Sequence, residues 1–367
     1  MKIAIFHQFM DNIGGAEIVA LTLARELNAD IYTTNIDYKN IKKMGFGDVL
    51  NRIRSIGKLP IHAPFRHQFA LWKFRHYKTK KRYDYYIIAG DWAIGAAVKN
   101  KPNLWYAHSP LNELWQFKDF IKKKLLIWWQ KPLFEIFVSY NRCLTKKYVE
   151  HVNRFVCNSK NTQNRIRKYY RKDAKVIYPP IDNSLYSYSK EKGYWLSVNR
   201  FIAHKRIELQ MKAFAKLPNE KLIVVGSYEK NAIQFEKYRD YIEGIKPKNV
   251  EIRNWISDEE LIDLYSNCKG FIATAKNEDF GMTPVEAMAS GKPVIAANEG
   301  GYKESVIDRK TGILINNIDE DKIILAIKKV GKDLSKYKLE CKKRAKDFDV
   351  KVFIDKIKKD ILVKDIS

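Results

Sequence analysis

Two glutamates separated by seven residues stand in the stretch Asn277-Glu-Asp-Phe-Gly-Met-Thr-Pro-Val-Glu-Ala-Met-Ala-Ser-Gly-Lys-Pro-Val294. Glu278 falls in a loop after the apolar run 271–274. Glu286 falls in the first turn of a helix that the pattern predicts from Pro284, with Thr283 as its N-cap. Carboxylates on either side of such a terminus accept hydroxyl hydrogen bonds from a sugar and a ribose, while the unpaired N–H groups of the helix start favour an anion. Gly281 lets backbone approach the ligand. Thr283-Pro-Val-Glu286 also reads as a capping box, so Glu286 is either a cap or a ligand; Glu278 has no capping role. Arg200 and Lys205 follow the apolar run 194–198 and suit a phosphate. Gly14-Gly15 separates the run 2–6 from a helical pattern at 16–27, as a tight turn or an anion site. His108 comes just past the run 104–106.

These residues need elements to hold them, and the chain supplies a repeating pair. Apolar runs at 2–6, 85–88, 104–106, 154–157 and 176–178 precede Pro179-Pro180 and a polar stretch at 183–192. The alternation then restarts, with runs at 194–198, 222–225, 250–252, 271–274 and 294–296 and helical patterns at 205–216, 231–243, 258–266 and 284–289. Strand–helix alternation implies parallel sheets with helices on both faces. The fold class is therefore α/β, with two Rossmann-like domains facing across a cleft: residues 1–180, residues 181–345, and a helical, lysine-rich tail at 346–367 free to pack back on the first. Ligands in such sheets bind beyond the carboxyl ends of the strands, where all the residues named above fall.

The 367 residues carry 68 Lys plus Arg against 42 Asp plus Glu, a formal charge of +26, and 46% hydrophobic residues exclude a disordered chain. The excess is local: residues 51–200 hold 31 basic and 9 acidic residues, whereas 251–300 hold 4 and 9. The basic half faces something anionic, either nucleic acid, a phosphate-bearing substrate or a membrane surface. Aromatics interleave with these charges at 65–86 and at 115–140, where Lys122-Lys-Lys124 and Trp128-Trp129 stand close together. A solvated face over an aromatic core is the plain reading. An interfacial helix near lipid fits both charge and aromatics, and nucleic acid is disfavoured because no recognition motif accompanies the charge. The four cysteines form no CxxC pair, which fits a reducing cytoplasm. The first apolar run is too short for a signal peptide, and 125–140 is too short and too polar to span a bilayer. Neither a Walker A sequence nor a dinucleotide fingerprint is present. Asp319-Glu-Asp321 and Asp347-Phe-Asp349 read as solvated helix faces, so no metal site is expected.

The stretch 277–294 resembles the signature of the retaining nucleotide-sugar glycosyltransferases of family four, which have the GT-B fold. Ser197-Val-Asn-Arg200 with His204-Lys205 resembles the family's phosphate loop, with Asn199 where glycine is usual. Val224-Val-Gly226-Ser, Asn254-Trp-Ile-Ser-Asp-Glu-Glu-Leu261, and Asn298-Glu-Gly-Gly301 through Thr311-Gly312 match further landmarks. In the amino-terminal half, Gly14-Gly15-Ala-Glu17 resembles the family's glycine turn. Trp105-Tyr-Ala-His108-Ser-Pro-Leu-Asn-Glu-Leu-Trp115, Asn158-Ser159 and Tyr178-Pro-Pro-Ile-Asp182 are similar to a mannosyltransferase-like subgroup.

The resemblance implies a metal-independent hexosyltransferase, mannose favoured, with no cofactor beyond a GDP- or UDP-linked sugar donor. Glu278 and His108 would be catalytic. Gly14, Gly15, Arg200, Lys205, Gly226, Ile256, Phe280, Gly281, Met282, Thr283 and Glu286 would bind the donor. The acceptor would be lipid-linked or a glycan, at an anionic membrane surface on its cytoplasmic face. A nucleotide-sugar epimerase of the same fold is the rival, and a basic nucleic-acid-binding protein a more distant one.

Overall fold

The computed structural model describes residues 1–59, 65–112, 114–227, 233–254 and 256–362. Glu113 and Trp255 of the motifs above, residues 231–232 of one expected helix and the last residues of the tail lie outside the described residues, as does the side chain of Lys124. The chain divides into two compact units, Met1–Pro179 with Phe353–Ser367, and Pro180–Val352.

The first unit is built on seven parallel strands, β1 (Ile3–Met10), β2 (Asp30–Ile36), β3 (Ile53–Ser55), β4 (Tyr85–Ile88), β5 (Asn103–Ala107), β6 (Arg154–Cys157) and β7 (Lys175–Val176), in the order β3-β2-β1-β4-β5-β6-β7. In β1, Ile3 to Phe6 are buried without alternation, as expected for a parallel strand covered on both faces. Ile5 pairs with Ile31 on one side and Ile87 on the other. Helix Gly15–Glu26 buries Val19 to Ala24, and helix Lys160–Tyr170 starts where the Ser159 hydroxyl accepts from the Thr162 N–H at 3.0 Å. The last helix, Val350–Leu362, sets Phe353 edge-on against Tyr106 at 5.6 Å, and its Asp360 carboxylate pairs with Lys175 at 2.9 Å.

The second unit has six parallel strands, β8 (Tyr194–Arg200), β9 (Lys221–Ser227), β10 (Val250–Asn254), β11 (Phe271–Ala273), β12 (Val294–Ala297) and β13 (Gly312–Ile315), ordered β10-β9-β8-β11-β12-β13. Counted from its own first strand this is 3-2-1-4-5-6, and the first unit has the same order with one strand added. Each unit is thus Rossmann-like, and its strand order reverses beside its first strand, the place where such sheets bind ligands.

Three strands have no counterpart among the apolar runs. β2 reads Asp-Ile-Tyr-Thr-Thr-Asn-Ile, and Thr33 and Thr34 are fully buried. Only the neighbouring strands tell these threonines from a loop. β3 is three residues long, and β13 starts on a glycine. The two acidic stretches are not plain solvated faces. Asp319 caps helix Glu320–Gly331, accepting from the Lys322 N–H at 2.8 Å, and Asp349 accepts from the Lys351 N–H at 3.0 Å. Among the described residues no group of three or more His, Cys, Asp or Glu is placed to hold a metal ion, and no helix is long and apolar enough to cross a membrane.

Candidate active site

In the second unit, the loops leaving β8 and β11 meet. Lys205 donates its ammonium to both Glu278 carboxylate oxygens, at 2.9 and 2.7 Å, and both side chains are less than a fifth exposed. Burial pushes Glu278 up, but the charge and hydrogen bonds of Lys205, with His204 and Arg200 nearby, outweigh it and hold its carboxyl below the usual range. His204 is pushed down to about 4 by burial and the adjacent Lys205, so it is neutral at neutral pH. Arg200 lies exposed at the end of β8.

The loop is braced from behind by residues that sequence reasoning missed. Arg206 donates to the carbonyls of Thr274 and Ala275 and to Glu299 at 2.6 Å, and Glu299 also accepts from the Asn277 N–H at 3.1 Å. The Gly301 N–H donates to the Glu278 carbonyl at 2.8 Å. Glu299 stands inside the Asn298-Glu-Gly-Gly301 motif, so the signal was present without a role attached to it.

The helix after Glu278 is Met282–Ala289, two residues longer at its start than the sequence predicts, and Gly281 is its N-cap. Thr283 is therefore a helical residue and caps nothing, which corrects the expected cap and capping box. Pro284 is tolerated in the third helical position because the first turn's N–H groups have no intrahelical partner to lose. Gly281 has φ of 87°, and a Cβ there would lie 2.5 Å from the Tyr302 ring, so two constraints require glycine.

Glu286 is left to a different partner. Its Oε2 accepts from the Tyr265 hydroxyl at 2.7 Å. Burial pushes its carboxyl up to about 7, with Asp258 adding in the same direction and Tyr265 opposing. Between its ordinary 4.5 and 7 the folded chain thus binds protons that the unfolded chain releases, so Glu286 costs stability as pH rises through that window. Glu286→Gln should melt higher than the parent at pH 8 and match it near pH 4; parallel melting curves across that range would refute the shift.

The remaining candidates of this unit divide. Phe280 is buried, its ring packed edge-on against Phe348 at 5.3 Å, so only its backbone remains for a ligand. Gly226 is the next-to-last residue of β9, and a Cβ there would overlap the Phe201 ring, which gives this glycine a packing reason. Ile256, two residues past β10, and Met282 and Thr283, in the first turn of helix Met282–Ala289, are half-buried.

In the first unit, β1, β4 and β5 bring two histidines to one acceptor. His7 donates from Nδ1 and His108 from Nε2 to the Ala89 carbonyl, each at 2.9 Å. Burial, with His7 adding, lowers His108 to about 4, so its ring is neutral and Nδ1 carries the lone pair. Asp91 accepts from the backbone N–H groups of His108 and Ser109, and Asn158 donates to the His108 carbonyl at 2.8 Å. His7, a buried polar residue directly after the apolar run 2–6, was the missed signal here. Its Nε2 lies 3.7 Å from Glu17. Gly14 is the extended N-cap of helix Gly15–Glu26, and the Glu17 carboxylate lies 2.7 Å from where a Gly14 Cβ would stand.

Residues 13–185 match the family model described as Glycosyltransferase Family 4, and residues 186–348 match Glycosyl transferases group 1. The chain is a GT-B glycosyltransferase of these families. An alpha-1,3/1,6-mannosyltransferase of Dictyostelium discoideum is 26% identical to it over 88% of this chain and 87% of its own. Among solved structures, Anabaena HepE, determined in complex with UDP-glucose, aligns with a TM-score of 0.75 at 17% identity over 98% of this chain and 99% of its own. The sucrose-phosphate synthase of Thermosynechococcus elongatus aligns with a TM-score of 0.75 at 16% identity over 98% of each chain. At such identities the structural likeness establishes the GT-B fold alone. The glycosyltransferase transfers a sugar from a nucleotide-diphosphate donor to an acceptor, and its Rossmann-like units carry the candidate residues at their strand ends.

Proposed function

We propose that this glycosyltransferase moves a hexose, mannose in first place, from a GDP- or UDP-linked donor to a lipid-linked or glycan acceptor, with retention and without a metal. The observation that carries the donor half is the Lys205–Glu278 pair at the exit of β8 and β11, beside exposed Arg200 and the Gly281-capped helix start. Arg200, Lys205 and the helix N–H groups would take the diphosphate, and Glu278 would then face the sugar ring, where positive character grows at the anomeric carbon. Glu286, steadied by Tyr265, would accept from the ribose hydroxyls. The leaving diphosphate would help deprotonate the acceptor hydroxyl. His108, with Nε2–H engaged by Ala89, offers Nδ1 as a hydrogen-bond acceptor to a sugar or acceptor hydroxyl.

Support for mannose comes from the mannosyltransferase relatives that align over most of the chain. Support for a lipid-linked acceptor at the cytoplasmic face of an anionic membrane comes from the basic excess of residues 51–200. The test is a panel of nucleotide sugars incubated with membrane extract, scoring released nucleoside diphosphate and labelled product. Release from GDP-mannose with label entering the lipid fraction is expected. Release from another donor would overturn the mannose reading. Label confined to water-soluble glycan would overturn the lipid acceptor.

A further inference from the structure

Seven of the eighteen large hydrophobic side chains that are exposed among the described residues fall within residues 120–140. Helix Gln130–Val149 turns Val138, Asn141, Thr145 and Tyr148 into the first unit. At 3.6 residues per turn, Trp129, Leu133, Ile136 and Tyr140 form one stripe on the opposite side, and they are 50–67% exposed. The turn before them adds Ile127 and Trp128, the latter 81% exposed. A helix that is apolar on its outer side as well as its inner one has a partner for both.

Charge decides which partner. Residues 118–147 hold eight basic and two acidic residues, and one of the two, Glu135, is neutralised by Lys118 and Lys122, each at 2.7 Å. Those bridges also tie the short helical segment before the turn to the long helix, so the tryptophans project from a braced hairpin. A second copy of the chain would bring one net-positive segment against another, whereas an anionic bilayer complements that charge. Trp and Tyr with aliphatic residues between them suit the headgroup boundary, where an amphipathic helix lies in the plane of the membrane.

We propose that the outward stripe of helix Gln130–Val149, with Ile127 and Trp128 before it, is a membrane-docking surface that inserts into the interfacial layer of an anionic bilayer. This rests on the membrane-acceptor reading above and gives it an address. Docking here would hold the amino-terminal unit at the surface from which a lipid-linked acceptor is taken.

The test uses the full chain and flotation with phosphatidylcholine vesicles, plain or mixed with phosphatidylglycerol, at low and high salt. The parent should float with the mixed vesicles and keep part of that binding at high salt. A variant with Trp128→Ser, Trp129→Ser, Leu133→Ser and Ile136→Ser should lose about tenfold or more of the partitioning. These side chains are exposed, so its melting temperature and its nucleoside-diphosphate release with a water-soluble acceptor should match the parent. Parental flotation of that variant would overturn the surface while leaving membrane docking to another face. A parent that floats with neither vesicle would overturn both the surface and the membrane location, and the donor panel would still judge the transferase reading independently. A parent that is dimeric without lipid, made monomeric by the four substitutions and never floating, would assign the stripe to a second copy instead.

Discussion

Glu278→Gln is expected to lower turnover by about 10²–10³-fold, the usual effect of removing one group aimed at developing charge in a closed site. The substitution keeps the shape and removes the negative charge that would face the anomeric carbon. It also strips Lys205 of its counter-charge, and both side chains are largely covered, at 14% and 18% exposure. A hydrogen bond to a charged group contributes roughly 1.5–3 kcal/mol, so the variant should melt lower as well. The two effects separate by pH. The depressed Glu278 pKa contributes stability that is present above the ordinary carboxylate range and is lost as pH falls through the folded value. The stability gap between parent and variant should therefore close in acid, whereas the turnover defect belongs to neutral pH. Parental turnover by a folded Glu278→Gln enzyme on its true donor and acceptor would falsify the active-site assignment.

Lys205→Ala should weaken nucleoside-diphosphate binding more than Arg200→Ala does. Each removes a cation from the diphosphate, a loss of roughly 1.5–3 kcal/mol or about 10–150-fold in Kd. Lys205 carries a second consequence, because its removal bares the Glu278 carboxylate beside the place the phosphates would take. Lys205→Ala combined with Glu278→Gln should then recover part of the affinity that Lys205→Ala alone loses, a coupling that a double-mutant cycle measures. Arg200 is exposed, so Arg200→Ala should leave stability near that of the parent. Calorimetry with GDP and with UDP on the parent, the three single variants and the double variant checks this. Unchanged affinity in both Lys205→Ala and Arg200→Ala would remove the phosphate loop from the donor site.

The local pattern of the chain was enough to place two strand–helix series, to put Lys205, Glu278 and His108 in the loops that leave strands, and to put Arg200 at a strand end. That follows because a buried parallel strand must be apolar on both faces and its exit loop must be polar, a contrast readable within a few residues. β2 and β3 escaped because threonines and a three-residue strand become strand only when a neighbour pairs with them. The same limit applies to the caps. Thr283-Pro-Val-Glu286 satisfies every local rule for a helix start, yet the loop enters through Gly281 at a positive φ, and Tyr265, twenty-one residues away, takes the Glu286 carboxylate. Sequence spacing says nothing of the Lys205–Glu278 pair or of two histidines sharing the Ala89 carbonyl, since each joins segments that only the sheet order brings together. The aromatics make the division plainest. Trp105 and Trp128 are the same residue type in the same basic half, and one is 2% exposed and the other 81%. Composition determined that this half would be basic and aromatic; tertiary packing decided which of those rings close the core and which face outward, because burial depends on what long-range neighbours cover.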